Sequence, residues 1–307
     1  MYAPRRAFGE ALVELGRVND RILVLDADVG TSTQASLFRT AFPDRFYEIG
    51  IAEQNMMGIA AGLATFGWIP FVSTFAVFAS RRACDQVSIS IAFPRLNVKI
   101  NGGYGGIPTG KAGATHQAFE DLAIMRAIPN MTVVATADAV ETRKAVFAAA
   151  DFDGPLYLRT VRCEVPTIFD ETHDFRIGRS YPLRPGNDVA ILSTEMMTAK
   201  ALAASDELGR LGVRARVLHV PTIKPIDEDA ILAAASETRG IVTVENHSII
   251  GGLGGAVAEV LAERHPAPLR RIGVRDHFGE SGDIEAVLTK FAMNTEHIVA
   301  AAKSLLD

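Results

Sequence analysis

Arg21-Ile-Leu-Val-Leu-Asp26 is an unbroken apolar run closed by an acid, and Ala27-Asp28-Val29-Gly30-Thr31-Ser32-Thr33 follows it as a small polar loop. A run that is apolar at every position, with no alternation, suits a strand buried on both faces of a helix-covered parallel sheet. Ahead of it, residues 5–18 space Phe8, Leu12, Val13 and Leu15 as an amphipathic helix. Behind it, strand-like runs recur at 68–74, 97–100, 131–135 and 155–159, separated by helical patterns at 52–66, 75–91, 118–127 and 138–150. Repeated β–α units predict an α/β fold, a parallel sheet with helices on both faces. Ligands of such sheets bind outside the carboxyl ends of the strands, where the loop carrying Asp28 falls.

The pattern breaks between 164 and 186, where Pro166, Gly178, Pro182 and Pro185 interrupt it among scattered charges. That stretch reads as a connector. A second α/β unit follows, with strands at 188–192, 215–219, 240–244 and 269–274 and helices at 198–211, 227–235, 256–264 and 296–306. The expected division is a first domain over 1–165, a linker over 166–186 and a second domain over 187–307.

Composition narrows the function classes. The 307 residues are 48% hydrophobic and 22% charged, with a net charge of −5 and no basic block, which argues against a nucleic-acid surface. Two cysteines, Cys84 and Cys163, form no disulfide framework and lack metal-ligand spacing. No apolar run reaches membrane-spanning length. The expectation is a cytoplasmic protein without membrane contact.

Three stretches carry candidate chemistry. In Tyr47-Glu-Ile-Gly-Ile-Ala-Glu-Gln-Asn-Met56, Glu53 falls in the first turn of a helix rich in small residues, where exposed N–H groups favour a carboxylate. Phe75 and Phe78, three apart after the strand 68–74, share a helical face as core packing or as a platform under a flat heterocycle. Asn101-Gly-Gly-Tyr-Gly-Gly-Ile-Pro-Thr-Gly-Lys-Ala-Gly-Ala-Thr-His-Gln117 holds six glycines and closes with Thr115-His116-Gln117, with spacing that matches neither a phosphate-cradling loop nor a dinucleotide fingerprint. Arg159 closes the strand 155–159. A guanidinium there suits a bidentate clamp on phosphate or sulfonate oxygens.

Taken in order, Glu48-Ile-Gly-Ile-Ala-Glu-Gln-Asn-Met56, Ser73-Thr-Phe-Ala-Val-Phe78, Ala114-Thr-His-Gln117, Met125-Arg-Ala-Ile-Pro-Asn-Met131, Tyr157-Leu-Arg159 and Val244-Glu-Asn-His-Ser-Ile-Ile-Gly-Gly252 resemble the C-terminal half of a transketolase. The free-standing C-terminal subunit of split transketolases is the nearer likeness, over essentially the whole chain. The resemblance implies a pyrimidine-binding domain, the family's C-terminal domain, and thiamine diphosphate bound between subunits. It implies that Glu53 contacts N1′ of the aminopyrimidine, that Phe75 and Phe78 line its pocket, and that Asp28 is a cofactor-contacting loop acid. His116 matches a histidine near the reacting centre, and Arg159 the arginine that holds the sugar's terminal phosphate.

Two departures from the family pattern matter. No Gly-Asp-Gly motif with its following asparagine is present, so Mg2+ (or Ca2+) and the diphosphate are expected on an N-terminal partner subunit, in an α2β2 heterotetramer; no metal ligand is expected on this chain. In the glycine loop, Tyr104 and Ala112 stand where the family usually has histidine and aspartate. Losing a cation and an acceptor there predicts transfer of a two-carbon ketol unit on a modified sugar, with Tyr104 at the substrate and apulose 4-phosphate and sulfofructose as candidates. The competing readings are a deoxyxylulose-phosphate synthase-like enzyme, a 2-oxo-acid dehydrogenase β subunit, and a non-catalytic scaffold subunit.

Overall fold

In the computed structural model, which describes residues 1–306, twelve strands follow one another along the chain. They are β1 (Ile22–Asp26), β2 (Phe46–Glu48), β3 (Ile69–Phe75), β4 (Lys99–Gly103), β5 (Thr132–Ala135), β6 (Leu156–Arg159), β7 (Tyr181–Arg184), β8 (Val189–Ser193), β9 (Ala215–His219), β10 (Thr222–Lys224), β11 (Ile241–Ser248) and β12 (Leu269–Val274). They form two sheets, ordered β10-β5-β6-β4-β3-β1-β2 and β12-β11-β8-β9-β7. Every pairing is parallel except β10 on β5 and β7 on β9. Strands β1, β3, β4, β5, β6 and β8 are buried at every position, as expected of mostly apolar strands covered on both faces; β4 is the exception in composition, burying Lys99 and Asn101.

Helices cover both faces. Pro4–Val18 and Ala139–Asp151 pack Phe8, Leu12, Val146 and Ala149 against one side of the first sheet. On the other side a single apolar cluster runs through both units. Met56, Met57 and Ala60 of the helix Glu53–Thr65 belong to it, as do Met125, and Ile231 and Val257 from the helices Glu228–Glu237 and Leu253–Arg264.

Three details differ from the sequence expectation. The stretch 164–186 is more than a connector: β7 pairs along the edge of the second sheet at β9. Pro182 sits in this edge strand, where a missing N–H is tolerated. Residues 221–225, left between the expected strand 215–219 and helix 227–235, place β10 against β5, so the C-terminal half contributes a strand to the first sheet. The helix expected over 75–91 is wound with wide turns at Phe78–Arg82 and Gln86–Ala92, where N–H groups bond five residues back, as from Ala83 to Phe78. Such turns recur at functional sites.

A second buried network joins the units. Glu141 accepts from His219 across the interface at 2.8 Å and from the Ala137 N–H, and His173 lies 3.4 Å from its other oxygen. Burial alone would raise this carboxyl, but His219 and its hydrogen-bond donors outweigh it and hold the group down at about 2. A depressed carboxyl contributes stability above its unfolded value that is lost as pH falls through the folded one. Chemical denaturation should therefore show stability falling between pH 4.5 and 2, with Glu141→Gln flattening that slope. An unchanged slope in the variant would contradict the assignment.

Candidate active site

Parallel register lines up the carboxyl ends of the first sheet. Asp26 stands opposite Glu48 on β2 and Ser73 on β3; Phe75 stands opposite Gly103; Gly102 and Ala135 flank Arg159. The loops leaving these ends carry Asp28, Glu53, Phe75, Phe78, Tyr104 and His116, so one edge of one sheet gathers residues that lie as far apart as 28 and 116 in sequence.

The aromatic rings form a shelf. Tyr104 stacks on Phe75 with centroids 4.2 Å apart, and Phe75 stacks on Phe78 at 5.7 Å. His116 meets Phe78 edge-on at 5.4 Å and Phe75 at 6.0 Å. Thr115 holds the His116 ring, its hydroxyl 2.8 Å from Nδ1, and Thr109 donates to the Tyr104 carbonyl at 2.7 Å. Val29, next to Asp28, packs against the same cluster.

Two site residues hold a backbone conformation uncommon for non-glycine residues. Asp28 has φ +59° and Tyr104 φ +61°. Such strain clusters at functional sites and persists where the surroundings over-determine it. At Asp28 the fastening is visible: its N–H donates to Glu48 Oε1 at 2.9 Å, and the same oxygen accepts from Gly50 at 3.0 Å. Asp26, buried beneath, accepts from Val29 and Gly30 at 2.9 and 2.7 Å. Burial first, and then the neighbouring Glu48 carboxylate, push Asp26 up to about 7 against those two donors.

Glu53 opens the helix Glu53–Thr65 and is only 3% exposed. Its Oε1 accepts from Arg82 Nη1 at 2.9 Å. A buried carboxylate with one charged donor beside an aromatic shelf can hydrogen-bond the ring nitrogen of a flat heterocycle stacked on that shelf.

Arg159 requires a correction. It is fully buried, and its guanidinium donates to Asp121 (2.8 and 3.1 Å), to Glu195 (2.9 and 3.0 Å), and to the Ala118 and Asn246 carbonyls. Burial opposes the charge, yet Asp121 and Glu195 outweigh it and hold the group protonated. No N–H remains to clamp an anion, so Arg159 is not a substrate residue. It ties the first unit, through Asp121, to the second, through Glu195 and Asn246.

At the Tyr104 end of the shelf the facing cations are Arg5 and Arg162, which sequence reasoning missed. Their guanidinium carbons lie 5.7 and 5.6 Å from the Tyr104 ring centroid, Arg5 donates to the Tyr104 hydroxyl at 3.2 Å, and both line one cleft with Gln34 and Glu164. Neither makes a salt bridge among the described residues. Arg162 had a faint signal, as a second arginine three positions beyond Arg159. Arg5 sits on a helix whose pattern announced only packing. Also among the described residues, no group of three or more His, Cys, Asp or Glu side chains is arranged to hold a metal, and no helix is long and apolar enough to cross a membrane.

Fold and site together define a two-unit α/β protein with an aromatic shelf at the carboxyl edge of its first sheet. Comparison with known proteins gives the family. Residues 1–167 match the transketolase pyrimidine binding domain and 178–298 the transketolase C-terminal domain. The chain is 45% identical to the 6-deoxy-6-sulfo-D-fructose transketolase subunit of Clostridium sp. (strain MSTE9), covering 99% of this chain and 94% of that one. It is 38% identical to one of the subunits of the apulose-4-phosphate transketolase of Phocaeicola vulgatus, covering 98% and 97%. A split-gene transketolase solved as an inactive β4 tetramer superposes with TM-score 0.94 at 49% identity, covering 100% of this chain and 99% of that one. Against transketolase from Leishmania mexicana the TM-score is 0.82 at 25% identity, and the chain spans 46% of that longer one. The chain belongs to the transketolase family and is a split-type subunit of it.

The two arginines should separate on substitution. Arg159→Ala leaves Asp121 and Glu195 buried without a counter-charge, and should cost about 3–5 kcal/mol in denaturant unfolding. Arg162→Ala, at the surface, should stay within about 0.5 kcal/mol of the parent. Equal stability of the two variants would contradict the correction.

Proposed function

We propose that this chain is the subunit of a thiamine diphosphate-dependent transketolase that holds the aminopyrimidine end of the cofactor and the anionic end of the sugar. The observation that carries the proposal is the joining of Glu53, through Arg82, to the Phe75–Phe78 shelf, with His116 on the same rings. These residues fit the aminopyrimidine: a flat apolar face for the ring, and a buried carboxylate for N1′. When bound, the cofactor supplies a nucleophilic carbon that carries a two-carbon ketol unit from a ketose to an aldose.

The remaining steps belong to the side chains. Glu53 holds a proton at N1′, the general acid–base contribution of the chain. Phe75 and Phe78 fix the ring and exclude water from one side of it. His116, edge-on to both rings, is placed to donate to a substrate oxygen. Asp28, on its strained loop, contacts the cofactor from the β1 side.

Tyr104, Arg5 and Arg162 form the substrate's anion end. Two guanidinium groups without carboxylate partners flank a tyrosine stacked on the shelf, an arrangement suited to phosphate or sulfonate oxygens. Tyr104 fills, with a flat ring, the position where a histidine is usual, which favours a branched or sulfonated sugar over the ordinary linear ketose phosphates. The names of the sulfofructose and apulose-phosphate relatives support that direction.

The diphosphate and Mg2+ (or Ca2+) belong to an N-terminal partner subunit in this reading, assembled as an α2β2 heterotetramer. Exposed Ile51, Phe66, Trp68, Ile89 and Phe93, near the helix Glu53–Thr65, supply apolar surface for assembly. Free Cys84 and Cys163 suit a reducing cytoplasm.

The test is reconstitution with the companion N-terminal subunit and assay across xylulose 5-phosphate, apulose 4-phosphate and 6-deoxy-6-sulfofructose. Glu53→Gln should lower kcat by about 10²–10⁴-fold. Arg5→Gln and Arg162→Gln should each raise KM for the anionic sugar about 10- to 100-fold with kcat nearly unchanged. Turnover of xylulose 5-phosphate at ordinary transketolase rates would sink the modified-sugar reading, and an active Glu53→Gln enzyme would sink the role of Glu53.

A further inference from the structure

Arg82 makes the two contacts that the proposed site reserves for the aminopyrimidine. Its Nη1 donates to Glu53 Oε1 at 2.9 Å, and its guanidinium carbon lies 4.1 Å from the centroid of Phe78. A guanidinium is planar, weakly hydrated and rich in donors, so it stacks on an aromatic face while its edge bonds a carboxylate. A protonated aminopyrimidine has the same shape and polarity. A ring stacked on Phe78 and bonded to Glu53 would compete with that guanidinium for the same two partners.

The pair is lopsided in a way that permits exchange. The Glu53 side chain is 4% exposed and that of Arg82 is 51% exposed, so the acid is fixed while the cation lies at the mouth of the site with solvent to move into. The wide turn Phe78–Arg82 carries both partners of the stack. Arg81, next in sequence, is engaged elsewhere, with Glu120. Among the described residues, only Arg82 pairs with Glu53.

We propose that Arg82 is a resting occupant of the aminopyrimidine place: it neutralises the buried Glu53 and covers Phe78 until the cofactor displaces it. Without such a counter-ion the empty site would hold a buried, unpaired carboxylate, an unfavourable arrangement. With it, cofactor binding must first break an ion pair, and the apparent affinity is reduced by the fraction of sites in which Arg82 is seated. This inference rests on the assignment of Glu53 and the aromatic shelf to the cofactor.

The experiment is an equilibrium titration of thiamine diphosphate with Mg2+ into the assembled two-subunit complex, before substrate is added. The parent, Arg82→Gln and Arg82→Lys are compared at low and high salt, each checked for native thermal unfolding. Arg82→Gln should bind about two- to fivefold more tightly than the parent, the size expected for releasing a half-exposed ion pair. Arg82→Lys, which keeps the charge without the flat face, should fall between them and serves alone if the Gln variant does not fold. High salt should narrow the gap between parent and variant. Unchanged or weaker binding in the variants, with the parent binding normally, would overturn the role of Arg82 alone. Absence of cofactor binding by the parent complex would overturn the cofactor assignment and this inference with it.

Discussion

A single buried guanidinium sets the geometry of the crevice. Arg159 ends β6, and its donors are consumed by Asp121 and Glu195 and by two backbone carbonyls, from both halves of the chain. The glycine loop is seated on that arrangement. A side chain at Gly105 would run into Arg159, and one at Gly106 into Asn246, whose amide accepts from the Ile107 N–H and donates to the Gly105 carbonyl. The loop is glycine-rich at these positions because backbone must approach a buried charge network closely, and the tight seating sets Tyr104 on Phe75 at one end and His116 on Phe78 at the other. Asp121 also accepts from Tyr157 at 2.7 Å, which extends the network under the sheet.

The division of labour follows from that seating. A rigid parallel sheet brings loop residues together at its carboxyl edge, and two of them, Asp28 and Tyr104, are held at positive φ by neighbours rather than by their own preference. The site is built for one end of a ligand. In the proposed reading, the flat shelf and the Glu53 carboxylate take a heterocycle, and the guanidinium groups of Arg5 and Arg162, beyond Tyr104, take an anion. In the same reading, a second polypeptide completes it and covers the exposed apolar residues around the helix that Glu53 opens.

Much of this was legible in the sequence, for identifiable reasons. Strands buried on both faces leave uninterrupted apolar runs, so β1, β3, β5 and β6 could be placed within a residue or two. Glu53 stood out because a first-turn acid ahead of a small-residue helix has a local signature. The units that escaped notice lack one: β7 contains Pro182 and Arg184, tolerated because only one of its edges is paired, β10 is three residues long, and the short helix Ile284–Lys290 follows a loop of mixed polarity. The role of Arg159 was misread for a different reason. Arg159 and Arg162 are three residues apart with the same chemistry, and what separates them is the carboxylates that fold onto one of them, 38 and 36 residues away in sequence. No local pattern records that.

The central claim, that Glu53 acts on a cofactor held jointly with a second subunit, is tested most directly by exchange of the C2 proton of thiamine diphosphate for deuterium, followed by NMR. Fast exchange should require this chain and its N-terminal companion together, and should be lost in Glu53→Gln while the cofactor stays bound. Fast exchange with either subunit alone, or undiminished exchange in the Glu53→Gln complex, would contradict it.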